Sequence, residues 1–548
     1  MKRLLSALAC VLAAMVVVSA QQMEGMNKPS ANESASLMSG LGALHHPVST
    51  KNAEAQRFFD QGLTLIYAFN HEEAIRSFRH AAELDPDMAM AYWGIAYALG
   101  PNINLDVDPV HEQAAYLATQ QALALAAHAP DNERAYIEAL AKRYSNDPKA
   151  DLKRLAVDFK NAMGALTKRF PDDLDAATLY AESAMDLRPW QLWTTDGKPA
   201  EGTEEIIAVL ESVLKRNPNH IGAIHYYIHA VEASPHPERA LPYVAKLPAQ
   251  VPAAGHLVHM PAHIYERTGD YTAAAESNRA AARADETYIK SRGGQGMYPL
   301  MYYNHNLHFE CIAETMAGRY AAAIVAAHRL AANVAPSVKD VPMLESFMPT
   351  PTLVLVRFRR WDEISKLPQP ARELPITVAL WHFARGVAAA ANGRLTDADN
   401  EQRAFADVVK TIPADASFGL NPAQAILRIA GDVLGARIAL AKQDDKAGLA
   451  LLRQAVADED ALAYDEPPAW FLPTREMLGG ALLRAGQAAE AEQVFRADLG
   501  QHPHSGRSLF GLRESLKAQG KTREAQQADQ EFKRAWQHAD TQLTVATL

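Results

Sequence analysis

Residues 55–88 read AQRFFDQGLTLIYAFNHEEAIRSFRHAAELDPDM. Gly62, Ala74, Phe78 and Ala81 put small and aromatic residues where two antiparallel helices can approach closely, and Asp85-Pro86 stops the second helix. Proline has no N–H to donate and its ring clashes with the turn before it. The next unit continues in phase with Ala91-Tyr92-Trp93, Ile95 and Ala96. Further along, the same phase returns at Gly269-Asp270-Tyr271, Gly318-Arg319-Tyr320, Gly393-Arg394-Leu395, Gly486-Gln487-Ala488 and Gly520-Lys521-Thr522. Each of these turns is followed, at one spacing, by an alanine at the helix-packing position: Ala274, Ala323, Ala398, Ala491 and Ala525.

This pattern resembles the tetratricopeptide repeat, a helix-turn-helix unit of about 34 residues. The resemblance covers most of residues 50 to 536 and is weak over 100–170 and 330–375. It implies an all-α protein, a right-handed superhelical solenoid of tetratricopeptide-like helix pairs. One repeating unit filling the chain overrides the several domains that 548 residues would otherwise suggest. The expected segments are an N-terminal helical region at 44–170, a central histidine-rich region at 171–332 and a C-terminal region with its cap at 333–548. An inserted loop at 187–203 carries Trp190 and Trp193 among polar residues and reads either as a lid or as a plug between repeats.

With 48% hydrophobic residues and a formal net charge of -10, the chain lacks the basic excess of a nucleic-acid binder. Met1-Lys2-Arg3, an apolar run from Leu4 to Val18, and Val18-Ser19-Ala20 read as a secretory signal cleaved after Ala20. That implies a periplasmic or secreted protein; Cys10 leaves a lipoprotein open, but Ala7-Leu8-Ala9 suits lipidation poorly. Residues 21–43 read as a disordered lead-in. No second apolar stretch of about 18 residues occurs, so no transmembrane segment is expected. Cleavage leaves Cys311 alone, which excludes an internal disulfide and makes it a core thiol.

Residues 220–308 hold nine of the 20 histidines, where even spreading gives roughly 3. Counted back from the repeat turns, His256, His259 and His263 take positions two, five and nine of their unit. His305 and His308 take two and five, and His225, His229 and Glu232 take five, nine and twelve. Spacings of three, four and seven share one helix face. The resemblance implies that these positions line the concave groove, so seven imidazoles are expected there, with Glu182 and Asp186 of the preceding unit beside them. Neighbouring helices lie about 8–10 Å apart, which lets imidazoles from two helices share an ion at about 2.0–2.1 Å.

The reading is therefore a divalent transition-metal site built from His225, His229, His256, His259, His263, His305 and His308, with Glu182, Asp186 and Glu232 as carboxylates. Imidazole suits zinc, copper, nickel or iron, while carboxylates would favour zinc, iron or manganese over copper(I). Seven histidines exceed one tetrahedral site, so two metals, or one metal with histidines left for acid-base work, fit better. The open alternatives are a peptide-binding groove that uses imidazoles and a buried hydrogen-bond network. His220, His236, His45 and His46 read as solvated. Tyr226, Tyr227, Tyr265, Tyr302 and Tyr303 read mainly as packing residues.

Other chemistry is missing from the sequence. Gly520-Lys521-Thr522 lacks the first glycine of a phosphate loop, His71-Glu72 and His111-Glu112 lack the second histidine of a metalloprotease motif, and Gly293-Gly294-Gln295-Gly296 follows a helix instead of a strand. The whole chain also resembles a group of bacterial exported tetratricopeptide proteins that share Gly255-His256-Leu257-Val258-His259-Met260-Pro261-Ala262-His263 and Tyr303-Asn304-His305-Asn306-Leu307-His308. That resemblance implies fold and compartment and supplies no reaction. Two functions stay in view: a metal-binding groove acting on a small substrate, and a scaffold that binds a peptide or partner proteins.

Overall fold

The computed structural model describes residues 35–293 and 296–548. The proposed signal at 1–20, Cys10, the lead-in up to residue 34, and Gly294-Gln295 lie outside the described residues. The chain forms two compact units. Of the described residues, the first holds 35–264 together with Ser277–Asn306, and the second holds Tyr265–Glu276 together with Leu307–Leu548. This division runs through the 171–332 segment.

In the first unit the helices Ala53–Tyr67 and His71–Leu84 form the first pair. Asn52 and Asn70 begin them, each side chain accepting from backbone N–H groups of the first turn. Between the two helices and the next one, Ala89–Ala98, sits the ring of Phe78. A Cβ on Gly62 would stand 2.6 Å from that ring and one on Gly94 2.5 Å, so both positions must be glycine for the three helices to close. Pro109–Leu125, Asp131–Leu140, Leu152–Arg169, Leu174–Met185 and Thr203–Arg216 follow. The weak match over 100–170 has a local cause: Gly100-Pro101 ends a helix and Asn102 bridges Leu105 in a tight turn.

The histidine region departs most from ideal pairs. After Ile221–Val231 the expected partner helix is broken into Pro237–Ala240, Leu241–Val244 and Lys246–Gln250. Pro237, Pro242 and Pro248 account for the breaks. Pro261 likewise divides the next helix into Gly255–His259 and Pro261–Thr268. A π-helical turn, Tyr298–Tyr302, leads into Tyr303–Met316. Such turns insert an extra residue and re-aim the side chains that follow.

The second unit repeats the packing device. Helices Thr474–Arg484, Ala488–Gln501 and Gly506–Ala518 close on Phe495, whose ring occupies the space a Cβ would need on Gly479 and on Gly511. Gly269, Gly318, Gly393, Gly486 and Gly520 all have positive φ, between 70° and 82°, as turns between paired helices require. Ala274, Ala323, Ala398, Ala491 and Ala525 are buried. The weak stretch at 330–375 contains the short helices Thr350–Arg357 and Trp361–Ser365. A two-residue antiparallel ladder, Ser417–Phe418 with Asn421–Pro422, is the departure from all-α structure. Cys311 is fully buried in the hydrophobic core of this unit, as expected.

Two expectations need correction. Residues 35–43 are ordered: Met38 N–H donates to Gln61 Oε1 at 2.7 Å, Gly40 C=O accepts from Ala253 N–H at 3.0 Å, and Leu41 is buried. His46 and His220 are buried instead of solvated, whereas His45 and His236 are exposed. No helix of the described residues is long and apolar enough to cross a membrane.

Because a Phe→Ala change in a packed core costs about 3–5 kcal/mol, Phe78→Ala is expected to destabilise the first unit by that amount and Phe495→Ala the second. Urea unfolding followed by circular dichroism reads both. A loss below about 1 kcal/mol, the size of an ordinary substitution, would show that the ring does not lock the helices.

Candidate metal centre

Every residue of Ile221–Val231 is buried, and the helix seats against the turn of the first repeat. Gly222 allows this, because a Cβ there would overlap the Tyr67 ring. The approach brings His225 Nδ1 to 2.7 Å from the Tyr67 carbonyl. A carbonyl only accepts, so His225 Nδ1 carries the proton and Nε2 presents a lone pair. One turn on, His229 Nδ1 lies 2.9 Å from Glu232 Oε1, which fixes the same tautomer.

Consequently the two lone pairs face each other, His229 Nε2 to His225 Nε2 at 3.1 Å. His256 Nε2 also lies 3.1 Å from His225 Nε2. A second set repeats the arrangement. His259 Nδ1 lies 2.6 Å from Asn278 Oδ1 and His263 Nδ1 lies 2.7 Å from Glu232 Oε2, while the two Nε2 atoms stand 2.8 Å apart. His305 completes this set, its ring 4.8 Å from His259 and 5.9 Å from His263. In each set the three donor atoms lie within 4.8 Å of one another. Three imidazoles bound to one metal at about 2.05 Å hold their nitrogens about 3.3–3.6 Å apart, against 3.1 Å for two pairs of the first set and 2.8 Å for one pair of the second.

Glu232 joins the sets, with one oxygen on His229 and the other on His263. Metal-bound histidine characteristically donates its other N–H to a carboxylate or carbonyl, which orients the ring and raises its basicity. Ring centroids of neighbouring sets are 5.5 Å apart at His229 and His263 and 5.7 Å at His256 and His259. Phe69 covers the first set, 4.5 Å from His225 and 5.4 Å from His256, with Tyr302 4.8 Å from His256. Phe69 holds φ at +54°, a conformation that costs a non-glycine residue about 1–3 kcal/mol. From the inserted loop Trp190 packs edge-on, 5.9 Å from His229, and Trp193 Nε1–H donates to Ala230 C=O at 2.8 Å.

The backbone beneath His256 is also fixed. His256 N–H donates to Tyr298 Oη at 3.1 Å, Tyr298 donates to Asp285 Oδ1 at 3.0 Å, and Asn306 donates to Asp285 Oδ2 at 2.7 Å. Gly255 makes room for this carboxylate, since any Cβ there would collide with it. Burial pushes Asp285 up to about 7.

Burial is the main cause that depresses the histidines. It drives His225, His256 and His259 well below the usual 6.5, with neighbouring imidazoles adding to the effect, and it lowers His229. Burial alone would raise Glu232, but His263 and His229 hold it down, at about 2. Burial thus biases His225, His229, His256 and His259 toward the neutral form beside the Glu232 carboxylate.

The structure brings together His225, His229, His256, His259, His263, His305 and Glu232. They do not line an open groove: the first five are between 0% and 5% exposed. Glu232 faces the Nδ1 side of its histidines, behind the converging Nε2 atoms. His308 lies in the second unit with its ring against Phe347 and Phe471, where burial pushes it down to about 3. Glu182 and Asp186 are placed elsewhere. Tyr97 donates to Glu182, and burial raises Glu182 to about 7 and Asp186 well above its usual value, which favours the protonated forms. Among the described residues, neither joins a histidine set.

Sequence reasoning missed Tyr67, Phe69, Asn278 and Asp285, which act through a carbonyl, a ring face, an amide and a backbone N–H. It also missed a neighbouring polar cluster. Asp175 accepts from Tyr67 Oη–H and lies 2.8 Å from His46 Nδ1 and 3.2 Å from His220 Nε2, at a cleft of about 850 Å³. The one signal in the sequence was the pairing of His45-His46 before the first repeat.

Residues 55–88 match the family described as Tetratricopeptide repeat. Among solved structures, the chain is similar to human IFIT1, in a dimer with m7Gppp-AAAA, at 14% identity over 89% of this chain and 91% of that one, with a TM-score of 0.34. It is also similar to yeast Tom70 at 12% identity over 86% and 97% of the two chains, with a TM-score of 0.30. No curated protein matches the sequence.

For the metal-free protein the depressed histidines set an acid limit. The unfolded chain takes up protons at about 6.5 while the folded repeat keeps these rings neutral, so stability is full above 6.5 and is lost as pH falls toward the folded values. Imidazole NMR resonances followed in the presence of a chelator are expected to show these rings still neutral in the folded protein at pH 5. Rings that protonate near 6.5 while the protein stays folded would contradict the buried neutral tautomers.

Proposed function

We propose that this protein is a metal-binding tetratricopeptide-repeat protein whose first unit holds a transition-metal ion at each of two adjacent sets, His225/His229/His256 and His259/His263/His305. The observation that carries this reading is the facing lone pairs. In both sets two Nε2 atoms stand about 3 Å apart while the opposite nitrogens point at a carbonyl, a carboxylate or an amide oxygen. Two neutral imidazoles so oriented, as His225 and His229 are, repel, and a Lewis acid between them turns the repulsion into coordination. A hydrogen-bond network of neutral histidines would pair a donor with an acceptor instead.

Three protein donors leave a fourth position for a small molecule, as catalytic metal sites do and structural ones do not. Trp190 of the inserted loop, seated against His229, acts in this reading as a lid over the first set. Tetratricopeptide arrays serve broadly as protein-binding scaffolds, and the fold supports that role too. The burial of the histidines separates the two roles: a peptide groove built on imidazoles needs them exposed. We further propose, from the apolar run at 4–18 and the Val18-Ser19-Ala20 site, that the protein is exported.

Metal content of untagged residues 21–548, read by mass spectrometry, is expected to approach two ions per chain and to fall to about one in the His225→Ala/His229→Ala variant. Glu232→Gln keeps all six donors but loses the shared acceptor and is expected to weaken binding about 10–100-fold. Absence of metal after reconstitution with zinc, copper, iron and manganese would sink the proposal and leave the scaffold.

A further inference from the structure

Resting on the reading of the two trihistidine sets as metal sites, we infer that they hold a coupled pair of copper ions that takes up dioxygen as a bridging peroxide. The donor chemistry points first to the element. Both sets are wholly imidazole. Glu182 and Asp186, which would have favoured harder ions, pair with each other beside Tyr97, and Glu232 turns to the Nδ1 side of its histidines. Imidazole donors suit zinc, copper, iron and nickel, and among the divalent ions of this row affinity peaks at copper.

Charge narrows the choice further. Five of the six rings are buried, and a buried charge not matched by a counter-charge costs several kcal/mol per ion. Glu232 supplies one negative charge, held by the two histidines it joins. Two zinc ions would bring four positive charges into this pocket, whereas two copper(I) ions bring two. Copper(I) is also satisfied by three imidazoles.

Adjacency then gives the pair its chemistry. The sets touch through His229 and His263, 5.5 Å between ring centroids, and through His256 and His259 at 5.7 Å. Glu232 bridges them from behind, so neither set can move without the other. Phe69 and Tyr302 wall the first set with aromatic surface. That surface admits a small apolar gas more readily than it admits ions or water.

The step balances on the residues present. Each copper(I) gives one electron to dioxygen, so two coppers become copper(II), the dioxygen becomes peroxide, and one oxygen-oxygen bond order is lost without any proton moving. The positive charge on the metals rises by two, and the peroxide brings two negative charges. Net charge in the pocket is unchanged, which a low-dielectric site needs if uptake is to be reversible. One copper alone offers a single electron and cannot make peroxide, so both sets are required.

The test loads the untagged protein with copper(I) under nitrogen, counts copper by mass spectrometry, and then admits air while an oxygen electrode and an electron paramagnetic resonance spectrum are recorded. Two coppers per chain, one dioxygen consumed per two coppers, and a spectrum nearly free of copper(II) signal because the spins couple are the expected results. His305→Ala opens the second set. It should bind one copper, take up no dioxygen as peroxide, and keep the wild-type circular dichroism; His256→Gln does the same from the first set if His305→Ala fails to fold. Two coppers bound without oxygen uptake, or uptake that leaves the full spin count of isolated copper(II), overturns this inference and leaves the metal sites standing. No copper bound, with zinc also refused, overturns both.

Discussion

Close approach of helices is the constraint from which the rest follows. One aromatic ring, Phe78 in the first unit and Phe495 in the second, lies between two glycines on neighbouring helices, and no side chain larger than hydrogen fits at either glycine. Helices held this near one another bring backbone atoms within reach of side chains from other repeats. The Tyr67 carbonyl, at the end of the first helix of the first pair, thereby becomes the acceptor that sets the tautomer of His225.

From that carbonyl the electrostatics of the centre can be traced outward. Once Nδ1 of His225 donates backward, its Nε2 must face forward as a lone pair, and Glu232 imposes the same choice on His229. Burial then keeps the rings neutral, because charging several imidazoles side by side in a low-dielectric pocket is costly. The strain at Phe69 belongs to the same design: its left-handed backbone turns the chain sharply between Tyr67 and the Asn70 cap, and it places the aromatic ring over the histidines.

The broken helices also gain a physical meaning. Prolines at 237, 242, 248 and 261 deny the histidine region the long regular pairs found elsewhere. Pro261 leaves His256 and His259 on one short helical segment and His263 on the next, and the donor sets cut across that division: His256 belongs to one, His259 and His263 to the other. An unbroken helix with three groove-facing histidines is what the repeat register predicted, and it would have presented them as a single row.

The sequence alone determined the helical repeat, its turn glycines and packing alanines, and the six histidines that converge, because those features are local: a 34-residue period and spacings of three and four fix which residues share a helix face. Tertiary structure alone decided depth and partnership. Repeat register places a side chain on the inner helix but says nothing of what lies above it, so residues expected along an open groove are enclosed. His308 satisfied the same register as His305 and packs instead against Phe347 and Phe471. Glu182 and Asp186 occupied groove positions by count, yet the carboxyl pair they form with each other and Tyr97 is stabler in a buried setting than two separate anions. Tyr67, Asn278 and Asp285 could not be read from sequence at all, since their roles depend on atoms brought together across tens to hundreds of residues.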